Sequence, residues 1–376
     1  MRVTRSIPAA RGFLVVEWPL PIALIILAIG WVFKSALSAD AVPNIAIAVA
    51  FVAFFLAALL AAIAAARHAE HLAVIFGEPY GTLILTLSAI SLEIATIATV
   101  MLHGANNPLI GRDTMFSVVM IVMNGVIGAG LLIGGLRHHE QVYNLRGANA
   151  FLSLLIPLAA LALIWPDFTV TTSAGTLSIA QTVFLIVMSL LLYVVFLIVQ
   201  TRAYRNYFVA QGEATTEVVD EARHSTRGWP HHALFLAIYL VTVVLLAKLF
   251  ALPLDIGIEQ LGMPAAAGAL AVALLVLAPE AISAIQAAAR NQMQRAMNIG
   301  LGTALSTISL TVPAVLLIGL TFSHVVVLGL NGADGMLLIL TFAVSTLTFT
   351  SGRTNVLQGM VHLLLFLAYI VLIFSP

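Results

Sequence analysis

The chain has no cysteine and very few charges. The first absence excludes disulfides, a thiol nucleophile and any cysteine-bound metal. The second excludes a water-soluble fold: 9% of the 376 residues are Asp, Glu, Lys or Arg, against about 25% in soluble domains, while 61% are hydrophobic. A globule of that composition has too little polar surface to meet water. Charge of one sign is missing as well, since sixteen basic residues balance sixteen acidic ones. The basic side chains stand in loops rather than in patches, which leaves nucleic acid without a binding field. Neither H-E-x-x-H nor G-x-S-x-G occurs in the apolar runs, so a membrane-embedded hydrolase has no support, and nothing calls for a cofactor. What the composition describes is a protein that lives in a bilayer.

An apolar run of about 20 residues crosses a membrane. Eleven such runs can be marked off, near 18–37, 43–66, 81–103, 114–136, 148–165, 176–199, 232–252, 263–289, 296–320, 333–350 and 356–374. The expected fold is therefore all-α and polytopic, with about 11 transmembrane helices. Ala36-Leu37-Ser38 could pass for a signal-peptidase site after the first run. Lys34 interrupts that run and Pro19 and Pro21 open it, so a retained first helix is expected. Placing the amino terminus in the cytoplasm puts thirteen of the sixteen basic residues on the inside, with only Lys34, Arg112 and Lys248 at or near the outer side. That asymmetry fixes the orientation and puts the carboxyl terminus outside a plasma (inner) membrane crossed many times. Asp113, Asp255 and Glu259 then read as solvated outer-loop residues. The long inside loop, 201–231, carries Glu213, Glu217, Asp220 and Glu221 and reads as a solvated linker. His68, His71, His138 and His139 read as inside-loop residues, which leaves His362 as the histidine well within a helix.

Glu93 and Glu280 are the acidic residues set deep inside apolar runs. Such a placement costs about 2.5–3.5 kcal/mol on insertion scales and marks an ion or proton pathway. Each falls in the second helix of a block of five runs. Five is odd, so the two blocks insert with opposite orientation and form an inverted repeat whose substrate site lies at the midplane. The expected organisation is 1–40 for an amino-terminal segment with an extra first helix, 41–200 and 232–376 for the repeats, and 201–231 for the loop between them. Pro279 precedes Glu280 and Pro313 lies in the next helix; a proline there frees a backbone carbonyl. Carboxylates beside freed carbonyls suit a hard cation, which takes oxygen ligands. Glu93 and Glu280 are the expected metal-binding and proton-binding groups, with Asn124, Thr303 and Ser306 as neutral ligands and Glu78 as a guard of the cytoplasmic entrance. A divalent cation needs both carboxylates ionised, whereas the empty site holds protons, so cation and protons compete.

The stretch Gly77–Glu93 (GEPYGTLILTLSAISLE), Ala278-Pro279-Glu280 and Arg290–Pro313 (RNQMQRAMNIGLGTALSTISLTVP) resemble the bacterial calcium/proton and sodium(potassium)/proton antiporters of the calcium/cation antiporter superfamily. The resemblance implies two inverted five-helix repeats after an extra first helix, one essential glutamate per repeat at Glu93 and Glu280, and calcium, sodium or potassium ions and protons as the exchanged species. Many cation/proton exchangers of that kind have Gly-Asn before each glutamate, where this chain has Ala89-Ile90 and Val276-Leu277. Where they often have Gln in the second repeat, it has Ser306. With fewer amide ligands, monovalent exchange stands beside calcium export as a second reading. Another ion-coupled transporter is a third.

Overall fold

A computed structural model describes residues 17–37, 42–77, 80–103, 108–208 and 228–375. Among them are eleven helices and no strand, only an isolated bridge between Val142 and Arg353. The helices are α1 (Pro19–Leu37), α2 (Asn44–Phe76), α3 (Tyr80–His103), α4 (Ile110–His138), α5 (Leu145–Phe168), α6 (Ile179–Ala203), α7 (Trp229–Leu261), α8 (Ala265–Ala289), α9 (Met293–Phe322), α10 (Gly332–Thr348) and α11 (Val356–Phe374). Nine are long and apolar enough to cross a membrane, and α1 and α10 are shorter apolar helices. The chain is a polytopic all-α membrane protein, as its composition implies.

Polar residues mark where several helices begin. Ser178 and Gln181 form a capping box at α6, and Asn355 and Gln358 form one at α11. Asn144 and Asn331 cap α5 and α10. Each side chain takes up amides that the first turn leaves without partners.

Three helices contain a π turn deep in the apolar part: Ile121–Val126 in α4, Ala160–Ile164 in α5 and Thr307–Thr311 in α9. A π turn inserts one residue and redirects side chains, and such turns concentrate at functional sites. Those in α4 and α9 lie in the helices that follow Glu93 and Glu280.

Buried side chains form two separate apolar clusters. The larger joins α4, α5, α6, α9, α10 and α11 with one face of α8. The smaller joins α1, α2 and α7 with Leu92 and Val100 of α3 and another face of α8, through Ala269, Val272, Leu275 and Val276. Helix α8 is thus shared between the two bodies. Within the larger one, a Cβ on Gly359 of α11 would come within 2.5 Å of the Leu132 amide nitrogen and 2.9 Å of the Gly128 carbonyl of α4, so these helices meet backbone to backbone. Only glycine permits that approach.

Two helices run well past their apolar runs. Helix α2 continues to Phe76 and α7 covers Trp229–Leu261, so His68 and His71 are helical rather than in an inside loop, and Asp255 and Glu259 are on α7 rather than in an outer loop. Asp113 likewise sits in the first turn of α4. A helix holds its backbone bonds wherever side chains find partners, while an apolar run stops at the first charge. Pro279 does not break α8, which is continuous through it. The acidic stretch 213–221, the arginines before Glu17 and Glu78 lie outside the described residues.

Candidate functional site

Glu93 is buried on α3, at 4% exposure. Its Oε2 accepts a hydrogen bond from Thr307 Oγ1 at 3.0 Å, donated by the first residue of the α9 π turn. Thr311, one turn on, is the next hydroxyl facing that carboxylate, and its Oγ1 is buried with no hydrogen-bond partner. Glu280 on α8 is half-buried and lies close enough to Glu93 for the two charges to interact. One oxygen of each carboxylate, Glu93 Oε1 and Glu280 Oε2, is buried and makes no hydrogen bond. Buried polar atoms are ordinarily paired, so these two oxygens, on carboxylates near enough for their charges to interact, make the pair a candidate for binding a cation or protons. Those oxygens with the Thr307 and Thr311 hydroxyls are the donor set a hard cation takes. Protons on the carboxylates would answer the same need.

The other expected ligands are placed less directly. Ser306 is buried, and its hydroxyl donates to the Thr303 carbonyl at 3.0 Å, the back-bonding habit of membrane-helix serines. Thr303 is half-buried. Asn124 is fully buried in the α4 π turn. Its amide nitrogen donates to Thr341 Oγ1 at 2.8 Å, and its Oδ1 meets His362 Nδ1 at 3.1 Å. No hydrogen bond joins it to either carboxylate. Thr307 and Thr311 are the hydroxyls beside Glu93 that sequence reasoning passed over. Their spacing of four on the helix after Glu280 was the available signal.

A second polar cluster joins the segment before α1 to α2 and α7. Glu17, just before α1, is buried, and its Oε2 accepts from Arg67 Nη2 at 2.8 Å and Tyr239 Oη at 3.1 Å and meets His68 Nε2 at 3.2 Å. His68 Nδ1 lies 3.0 Å from His232 Nδ1, and the His71 ring stacks on His232 at 4.6 Å. Burial pushes the Glu17 carboxyl up, but Arg67, His68 and Tyr239 outweigh it and hold the group below its ordinary value. The cluster ties α1 to α2 and α7. Glu70, exposed on α2, is close enough to interact electrostatically with Glu280 and with Arg295 at the start of α9.

Similarity to known proteins follows the same outline. The profile of the sodium/calcium exchanger protein family matches residues 45–202 and 231–375. The sodium-potassium/proton antiporter ChaA of Escherichia coli (strain K12) is 37% identical over 313 residues, which cover 82% of this chain and 84% of that one. A Ca(2+)/H(+) antiporter of Aphanothece halophytica is 23% identical over 318 residues, covering 74% and 83%. Among solved structures, the selenium-substituted Ca2+/H+ antiporter protein YfkE shares the fold, with a TM-score of 0.70 at 20% identity over 95% of this chain and all of that one.

Proposed function

The chain belongs to the sodium/calcium exchanger protein family, whose relatives are membrane antiporters, and from that premise we propose that it exports a hard cation in exchange for protons at a single site formed by Glu93 and Glu280. The observation that carries this reading is the pair of buried carboxylate oxygens without partners on two adjacent helices. A cation bound between the carboxylates offsets their charge; in its absence protons do so. The doubly ionised empty site is unstable in a low-dielectric interior, and a carrier that cannot cross in that form is obliged to exchange. Thr307 and Thr311 supply neutral oxygens beside Glu93, and Asn124 supplies one on the Glu280 side. Thr303 and Ser306 lie one turn and one residue before Thr307 on the same helix. The two packed bodies support alternating access, because a shift of the smaller against the larger along α3 and α8 would open the carboxylates first to one face and then to the other.

Calcium, sodium and potassium are the candidate cargoes. The Escherichia coli relative favours the monovalent reading and the Aphanothece relative the divalent one. The protein sits in the plasma (inner) membrane with its amino terminus in the cytoplasm and its carboxyl terminus outside. In inverted vesicles, addition of each cation in turn should drive proton movement by the wild type. Glu93→Gln and Glu280→Gln should each abolish that movement while the protein remains inserted. Full activity in either variant would dismiss the site.

A further inference from the structure

We infer that His362 is a positioning residue for the cation site, acting through Asn124, so that the orientation of one neutral ligand is set from the far side of α4. The inference rests on the reading of Glu93, Glu280 and Asn124 as one site.

Asn124 lies at the depth of Glu280. Helices α4 and α8 are four crossings apart and so run the same way. Cβ atoms built on Gly130 and Gly134 of α4 would approach Ala288 of α8 at 3.4 Å. Glu280 is eight residues before Ala288, and Asn124 is about eight before that contact, roughly 12 Å in each case at the helical rise. The π turn around Asn124 packs on α8 as well as on α10 and α11. An amide there faces a choice. Of its two ends only the oxygen can hold a cation, so the partners that fix the amide decide what Asn124 offers the site.

Three side chains decide it. Thr341 Oγ1 takes the amide nitrogen at 2.8 Å, with Met120 Sδ beside it at 3.5 Å. His362 Nδ1 takes Oδ1 at 3.1 Å, and since a carbonyl oxygen only accepts, Nδ1 carries the hydrogen. Thr348 Oγ1 meets the other ring nitrogen, Nε2, at 3.1 Å, and its hydroxyl donating there keeps the hydrogen on Nδ1. Asn124, Thr341, His362 and Thr348 are all buried, at 4% exposure or less. The chain therefore runs from the Thr348 hydroxyl through the ring of His362 to the Asn124 oxygen. One lone pair of that oxygen is used by His362, and the second points in a direction the clamp has fixed. Partners that orient a metal ligand in this way commonly change metal affinity by about 10–100-fold when removed.

A purely structural brace would use the same hydrogen bonds, so the test reads cation affinity and selectivity rather than activity alone. Cation-dependent proton flux should be measured for calcium, sodium and potassium in His362→Ala, His362→Asn, Thr348→Val, Asn124→Ala and the double variant of Asn124 and His362 to Ala. His362→Ala should raise the apparent KM about tenfold or more and alter the ratio of affinities among the three cations, with flux at saturation largely kept. In His362→Asn the side-chain amide replaces Nδ1–H, and affinity should recover. Thr348→Val, the milder change, should shift affinity in the same direction should His362→Ala fail to fold. The double variant should be no worse than Asn124→Ala, because His362 acts through Asn124. Equal affinities in His362→Ala and wild type, or additive effects in the double variant, would overturn the inference and leave the site reading intact. An inert Asn124→Ala beside inactive Glu93→Gln would overturn it too, and remove Asn124 alone from the site.

Discussion

At the scale of single residues, the hydroxyl of Thr307 is the neutral group bonded to the proposed carboxylate pair. It donates to Glu93 at 3.0 Å from the opening residue of a π turn, where the redirected backbone aims it across to α3. Thr307→Val keeps the shape and removes the donor. A hydrogen bond to a charged group contributes roughly 1.5–3 kcal/mol, so apparent cation affinity should fall by about tenfold or more. The apparent KM in inverted vesicles checks this; an unchanged value would remove Thr307 from the ligand set. Glu93 and Glu280 were legible in the sequence because a charge inside an apolar run is a local anomaly. Thr307 was not, since a threonine at such a place ordinarily bonds to its own helix, and only the fold brings it across to Glu93.

Among elements, the eleven helices could be read from hydropathy, which is written residue by residue. The reach of α2 and α7 could not be read, because His68 and His232 are helical and buried through partners that lie 51 to 164 residues away in sequence. Nor do prolines locate the π turns, since α4 holds one at Asn124 without a proline and α8 stays α-helical through Pro279, while the turn in α9 does precede Pro313. The Glu17 cluster that joins α1, α2 and α7 yields a prediction with a sign. Its carboxyl is held below its ordinary value of 4.5, so its stabilisation is present above that value and is lost as pH falls through the lower folded value. Thermal unfolding in detergent should show the wild type losing stability below about pH 4.5 as that contribution disappears. Glu17→Gln should be less stable at neutral pH and should lack that part of the acid limb. Identical profiles would show that Glu17 contributes nothing to the joint.

For the molecule as a whole, the repeat pattern follows from counting. Glu93 on α3 and Glu280 on α8 lie five helices apart in the chain, and in each case a π turn falls in the helix after the glutamate. In that reading the blocks are α2–α6 and α7–α11, and Glu17 before the extra α1 bonds to Arg67 of the first and Tyr239 of the second. With eleven crossings and the arginines on the inside, the proposed orientation puts the two ends of the chain on opposite sides. A reporter fused after Pro376 should therefore lie outside the cytoplasm, and one inserted in 209–227 inside. Both on one side would contradict the orientation and the count.

In the proposed exchange, protons and cation compete for one pair of carboxylates. Cation-dependent proton flux should be followed in inverted vesicles from about pH 6.5 to 9.5, a range that brackets documented buried carboxylates, with the cation concentration varied at each pH. Apparent affinity should improve as pH rises and level off once the pair is deprotonated, changing below that plateau by about tenfold per pH unit for each proton displaced. Should calcium be carried as well as sodium, its slope should be the steeper, because the divalent ion displaces more protons. An apparent affinity that stays constant across the range would show that protons and cation do not share Glu93 and Glu280.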